Sequence, residues 1–320
     1  MTQETVKPGN SGKTKSKPLG VYKTALGSSI LGLAEDVLQS SAYMEDLEGQ
    51  VDLVFTSPPF PLNRKKRYGN KQGEAYVNWL ADFAPLFKKV LKPKGSIVIE
   101  LGNAWEAGRP VMSTLALKAL LAFLERGELI LCQQFVWYNP AKLPSPAQWV
   151  NVERIRVKDA YTHLWWMAMT DRPHADNRQV LTKYSKSMER LLEKKAYNTG
   201  KRPSEHHIGE KSFLKNNTGA IPSNLISLAN TQANSDYLNY CRTNKLSPHP
   251  ARMPSGLAEF FIKFLTKPKN LVLDPFAGSN TTGAAAEKLG RRWLAIEPDE
   301  SYLEGSRGRF ELFNGQADDE

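Results

Sequence analysis

The chain has 320 residues, with 43 Lys and Arg against 33 Asp and Glu, a formal charge of +10, and 41% apolar residues, enough for one large domain or two modest ones. Cys132 and Cys241 are too few and too far apart for a disulfide framework or a cysteine zinc site, so a reducing compartment is expected. No apolar run approaches the roughly 18 to 20 residues that span a bilayer, and the first twenty residues lack a hydrophobic signal core, so a cytoplasmic protein without membrane contact is expected.

The basic excess is localised. Residues 1–20 hold four Lys and one Glu, residues 151–250 hold 16 Lys and Arg against 9 Asp and Glu, and together they account for the whole +10. A concentrated excess of this kind is the footprint of a surface that neutralises phosphates, because counterion release drives such binding. Residues 1–20 have no apolar periodicity and read as a flexible basic tail, with folded structure expected from about Gly27. Val51–Phe55 reads as a buried strand. Tyr76, Trp79, Leu80, Phe83, Leu86, Phe87 and Val90 recur at helical spacing, with Pro85 expected to bend the helix or free a carbonyl. A Lys-Pro-Lys-Gly turn then precedes a short strand, Ser96–Leu101.

Val111–Arg126 is again helical in pattern and stops at Gly127, and Leu129–Trp137 is the next strand. From Asn139 the texture becomes Pro-rich, then basic, and all five histidines fall between His163 and His249, as in an inserted module. Helix Leu257–Leu265, strand Leu271–Leu273, a Gly-bearing loop, a helix to Leu289 and strand Arg292–Ile296 follow. Strands alternating with helices imply a parallel α/β sheet.

Two loops carry chemistry. Asp274-Pro275-Phe276-Ala277-Gly278-Ser279-Asn280-Thr281-Thr282-Gly283 is a tight small-residue turn between a strand and a helix, which lets a ligand approach the backbone and the helix N-terminus. Glu297 ends the following strand 23 residues after Asp274, near the spacing at which a carboxylate meets ribose hydroxyls. Neither G-x-G-x-x-G nor a Walker lysine is present, so a nucleoside with an amino-acid tail suits the loop better than a pyrophosphate. Thr56-Ser57-Pro58-Pro59-Phe60 ends the strand Val51–Phe55; two prolines stiffen the turn, Ser57 offers a hydroxyl, and Phe60 offers a flat apolar surface for a base. Taken alone, either loop is equally a structural corner.

Together, Ser57–Phe60 as [DNS]-P-P-[YF] and Asp274–Gly278 as D-P-F-x-G resemble the amino-methylating DNA methyltransferases that use S-adenosylmethionine. The catalytic motif comes first and the cofactor motif last, which is similar to the circularly permuted β class, and Ser in the first position is similar to its cytosine-N4 branch. The resemblance implies a Rossmann-like methyltransferase fold with an inserted target-recognition domain. It is carried further by TSPPFPLNRKKRYGN, WYNPAKLPSPAQWVNVERIRVKDA, KRPSEHHIGEKSF and HPARMPSGLAEFFIKFLTKP. It implies a division into catalytic half 21–150, recognition domain 151–248 and cofactor half 249–320.

By the resemblance, Ser57, Pro58, Pro59, Phe60 and Glu100 serve catalysis, although Glu100 stands where the related pattern has a shorter acid. Asp36, Pro254, Phe260, Asp274, Phe276, Gly278, Asn280, Thr281 and Glu297 would hold the cofactor, Asp36 near the adenine amine and Pro254 with Phe260 beside the methionine part. Trp137, Tyr138 and Asn139 would shape the target-base pocket. Arg64, Lys65, Lys66, Arg67, Tyr138, Arg154, Arg156, Lys158 and His206 are the candidate DNA contacts, and no metal is expected, since His206-His207 has no third ligand at suitable spacing. Neither cysteine follows a proline, which argues against cytosine-C5 chemistry. Trp165-Trp166 reads as core. The implied partners are duplex DNA, with a CAGCTG-like site, and an endonuclease that shares the site; the expected state is a monomer or weak dimer. Adenine-N6 methylation, or a catalytically idle DNA-binding protein, are the alternatives.

Overall fold

The computed structural model describes residues 19–60, 71–195, 197, 200–201, 203, 207–208, 214–231 and 235–311. The elements in chain order are β1 (Leu19–Lys23), β2 (Gly27–Leu31), α1 (Ala34–Gln39), α2 (Ser41–Leu47), β3 (Val51–Thr56), α3 (Gly73–Val90), β4 (Leu91–Gly102), α4 (Leu115–Gly127), β5 (Ile130–Tyr138), β6 (Tyr161–Ala168), α5 (Lys186–Lys194), β7 (Gly200–Lys201) and β8 (His207–Ile208). They continue with β9 (Leu225–Ser227), α6 (Asp236–Thr243), α7 (Ser255–Leu265), β10 (Leu271–Asp274), α8 (Thr281–Lys288), β11 (Arg292–Glu297) and α9 (Glu300–Ser306).

Among the described residues one sheet has the order β1-β2-β11-β10-β3-β4-β6-β5-β9. β2, β11, β10, β3 and β4 run parallel, as the alternating pattern predicts, and β1 and β6 are antiparallel to their neighbours. The two C-terminal strands thus insert between the second and third strands of the chain, which is the permuted arrangement. From β3 the chain crosses through α3 to β4 on one side; from β10 it crosses through α8 to β11 on the other. The carboxyl ends of β3 and β10 therefore meet at a topological switch point, where open α/β sheets leave a crevice.

Both sheet faces are covered, so the central strands are apolar on both sides. In β3, Val54 packs with Leu80, Phe83 and Phe87 of α3, whereas Leu53 and Phe55 join Leu257, Phe261 and Ile262 of α7 on the other face. Trp165 and Trp166, neighbours in β6, are divided between the two cores as expected for a strand.

Three expectations are corrected and one is met. The fold starts before Gly27: Leu19 and Gly20, placed in the flexible tail, lie in β1, and Leu19 pairs with Leu31. Pro85 lies within an unbroken α3 on its exposed face, and its missing N–H frees a carbonyl as expected. Lys92–Gly95 is a bulge inside β4 rather than a turn before it, since Leu91 already pairs with Val51 and Ser96 with Leu53. The stretch 151–248 is not wholly a separate domain: β6 and β9 belong to the main sheet, because a strand between β4 and β5 completes their ladders.

Candidate active site

A cavity of about 1020 Å³ opens over the switch point. It is lined by Ser57, Pro58, Pro59 and Phe60 after β3, Glu100 in β4, Asp274, Phe276, Gly278 and Thr281 around the β10 loop, and Glu297 at the end of β11. Residues 240 positions apart in the chain meet because each stands at the carboxyl end of a neighbouring parallel strand.

On the catalytic side, the Ser57 hydroxyl donates to Glu100 Oε2 at 2.5 Å, so the longer acid reaches the serine. Glu100 is 3% exposed; burial pushes its carboxyl above the usual range, opposed by the Ser57 hydrogen bond and by the positive charge of Lys142. With its proton turned to Glu100, Ser57 keeps its lone pairs for an incoming N–H. Phe60 packs against the end of β4 only because Gly102 has no side chain: a Cβ there would fall 2.5 Å from the ring.

The cofactor loop is braced from below. Asp274 accepts from Thr56 Oγ1 at 2.6 Å, Thr282 Oγ1 at 2.6 Å and the Phe276 N–H at 3.1 Å, which ties β3, β10 and α8 together. Burial raises its pKa to about 6. Asp274→Ala strands three buried donors and is expected to cost about 3 kcal/mol in denaturant unfolding. Asp274→Asn should lose much less, because a threonine hydroxyl can turn to accept from the amide. A raised folded pKa means that the ionised carboxylate costs stability fully above pH 6 and not at all below the unfolded value near 3.8, so Asn should compare better with wild type at pH 7 than at pH 4.

Glu297, 8% exposed, accepts from Gly278 N–H at 2.8 Å through Oε2 and from Asp299 N–H at 3.1 Å through Oε1. Burial lifts its pKa to about 7 against these two bonds. Each oxygen retains a lone-pair site, an arrangement suited to two vicinal hydroxyls. Gly278 has φ +52°, and a Cβ would come 3.1 Å from the His249 ring, so both conformation and space require glycine.

Other expected residues are placed differently. Asp36 is exposed and outside the cavity; its neighbour Glu35 lines it instead, held by Trp79 Nε1 at 2.7 Å. The buried stripe Ala34, Val37, Leu38 sets that helix phase and is the sequence signal that would have distinguished the two acids. Asn280 is fully buried and caps α8 through Gly283 N–H at 3.0 Å, while its amide donates to Tyr22. Pro254 is buried at the start of α7, and Phe260 packs on Phe135, Phe261 and Phe264, both away from the lining. Trp137 and Asn139 line the cavity; Tyr138 faces outward and does not. Arg154 and Arg156 are exposed and outside the lining, Arg156 donating to the carbonyls of Pro110 and Ile155, and Lys158 likewise gives its ammonium to the carbonyls of Pro140 and Lys142. Arg64, Lys65, Lys66, Arg67 and His206 lie outside the described residues. Lys142, His249 and Tyr302 also line the cavity; the first two stand in stretches that carry the family resemblance, where no site role is assigned to them, and Tyr302 stands in no quoted stretch.

Residues 51–307 match the family model described as DNA methylase. The chain is 43% identical over 291 residues to the type II methyltransferase M.PvuII of Proteus hauseri, covering 90% of this chain and 85% of that protein. It is 25% identical to M.BglII of Bacillus subtilis over 85% of this chain and 66% of that one. The solved PvuII DNA methyltransferase, described as cytosine-N4-specific, superposes with a TM-score of 0.72 at 37% identity, over 90% of this chain and 88% of the other. The M1.HpyAVI complex with S-adenosylmethionine, at 21% identity and a TM-score of 0.52 over 90% of this chain and all of the other, shares the fold. With its two motif loops joined at one crevice and the match running through nearly the whole sheet, the chain belongs to the DNA methylase family.

Proposed function

We propose that this protein transfers the methyl group of S-adenosylmethionine to N4 of a cytosine in duplex DNA, as the modification enzyme paired with an endonuclease that reads the same site. The Ser57–Glu100 pair, sharing one cavity with Glu297, carries the reading. The lining fits the cofactor: Glu297 offers two acceptor sites for a ribose, and Phe276, braced edge-on by Phe83 and beside Trp79, offers an apolar face. When bound, the cofactor supplies an electrophilic methyl on a sulfonium.

The chain's own residues deal with the amine, whose lone pair is delocalised into the ring and is a poor nucleophile. Ser57 Oγ and the Pro58 carbonyl accept its two N–H protons and favour a pyramidal nitrogen, and Phe60 holds the ring. The proton that the amine loses passes to Ser57 as the serine proton passes to Glu100, whose burial makes it a better acceptor. Serine in place of aspartate at the first motif position, and the cytosine-N4 description of the PvuII enzyme, support cytosine over adenine. The DNA lies in the cytoplasm, and the enzyme acts there as a monomer or weak dimer.

Incubation with labelled S-adenosylmethionine and mixed-sequence DNA, followed by nucleoside analysis and mapping, is expected to give N4-methylcytosine; N6-methyladenine in its place rejects the reading. By analogy with the PvuII enzyme the first site to test is CAGCTG, where modified DNA should resist the matching endonuclease. The exposed arginines between β5 and β6 are expected to meet phosphates: Arg154→Glu with Arg156→Glu should weaken DNA binding and flatten its salt dependence, with cofactor affinity unchanged. An unaltered salt slope in a fluorescence-anisotropy titration removes them from the interface.

A further inference from the structure

Six of the fourteen most exposed large apolar side chains among the described residues lie on two abutting loops beside the cavity: Val111, Met112, Leu143, Val152, Ile155 and Val157. The loops are joined by the Trp105–Trp149 ring contact, with centroids 5.5 Å apart, and by Arg156 Nε donating to the Pro110 carbonyl at 3.1 Å. Exposed apolar residues gathered in this way mark an interaction surface, where single scattered ones need no account.

Leu143 occupies a particular place in this patch. It is 81% exposed and directly follows Lys142, which lines the cavity. Its turn is fixed: Lys142 N–H donates to the Asn139 carbonyl at 3.1 Å, Ala141 N–H to Asn139 Oδ1 at 3.1 Å, and Lys158 Nζ to the carbonyls of Pro140 and Lys142 at 3.1 and 3.3 Å. An aliphatic side chain is thereby held out into solvent on a braced turn at the rim. The two loops, residues 103–114 and 139–160, carry Arg109, Lys142, Arg154, Arg156 and Lys158 against Glu106, Glu153 and Asp159, a net positive balance, and Asp159 is buried and bonded to Asn103 and Trp105. An apolar tip inside a basic frame complements a base stack flanked by phosphates.

Resting on the methyltransferase reading above, we propose that duplex DNA covers this patch and that Leu143 enters the base stack as a wedge, filling the space left when the target base is extruded into the cavity. An enzyme that acts on a paired base must unstack and unpair it, and an apolar side chain that takes its place offsets part of that cost. The cost is least where the target base has no partner, so the contribution of a wedge should shrink there.

The test compares wild type with Leu143→Ala on two duplexes carrying the mapped site, one fully paired and one with the target base opposite an abasic position. The readouts are single-turnover methyl transfer and, with 2-aminopurine as the target base, fluorescence on extrusion. For the paired duplex, Leu143→Ala is expected to lower the transfer rate and the fluorescence gain by roughly 10- to 100-fold, with most of the loss restored opposite the abasic position. Wild-type behaviour on the paired duplex overturns the proposal, and so does an equal loss on both duplexes, which would place Leu143 in chemistry or folding instead. Because the fluorescence does not depend on methylation, a Leu143-dependent signal without N4-methylcytosine would leave the wedge standing while the reaction assignment fell.

Discussion

Ser57→Ala is expected to slow single-turnover methyl transfer by ~10²–10⁴-fold, with S-adenosylmethionine and DNA binding largely retained. The hydroxyl is poised both to accept an N–H and to hand its proton on, because its own hydrogen already points to Glu100. Its removal leaves the Pro58 carbonyl and proximity as the remaining catalytic terms. Glu100→Gln should slow transfer less, since the amide can still accept from Ser57 but takes up no proton. The double variant should be no worse than Ser57→Ala, because the two residues act as one relay. Burial raises the Glu100 pKa, and the relay needs the carboxylate, so the wild-type rate should fall as pH drops through that raised value and level off above it. Glu100→Gln should lose this limb of the profile. A rate near wild type in Ser57→Ala refutes the role of the hydroxyl.

Glu297→Ala is expected to weaken S-adenosylmethionine binding by ~1.5–3 kcal/mol, about 10- to 150-fold, through loss of charge-assisted acceptor sites. Part of this is indirect, since Gly278 and Asp299 N–H groups lose their partner and the loop loosens. The pH dependence separates the parts. Ribose hydroxyls donate and so require the ionised acid; with a pKa raised to about 7, wild-type affinity should climb as pH rises from 6 to 8. An alanine at that position should give a flat profile. Calorimetry across that range checks both, and a wild-type affinity independent of pH removes Glu297 from the ribose site.

Much of the fold and both motif loops could be read along the chain, because each is a local pattern. Val51–Phe55 and Leu271–Leu273 are unbroken apolar runs bounded by turn residues, and a strand buried on both faces must look so. Ser57–Phe60 and Asp274–Gly283 are contiguous, so their chemistry stands in one stretch of sequence. Leu19–Lys23 escaped because LGVYK has an unremarkable pattern, and it becomes a strand only by pairing with Gly27–Leu31. Tyr161–Ala168 is apolar in sequence, but its place between β4 and β5 depends on two long-range ladders that no local signal encodes.

At the site, tertiary structure decided which neighbour faces the cavity and which groups are already spent. Glu35 and Asp36 are adjacent acids in the same helix, separated by the phase that Ala34, Val37 and Leu38 impose and by the Trp79 hydrogen bond from 44 residues away. Asn280 looks like a ligand contact in the motif, yet its side chain is consumed in capping α8. Lys158 and Arg156 look like uncommitted phosphate contacts, yet each already donates to two carbonyls. The sequence by itself determined the residue types, their order along the chain and therefore the permuted reaction centre. Only the fold decided the partner of each polar atom, because hydrogen-bond partners are assigned by proximity in space, and burial, which moves the Glu100 and Glu297 pKa values upward, comes from layers of structure drawn from the whole length of the chain.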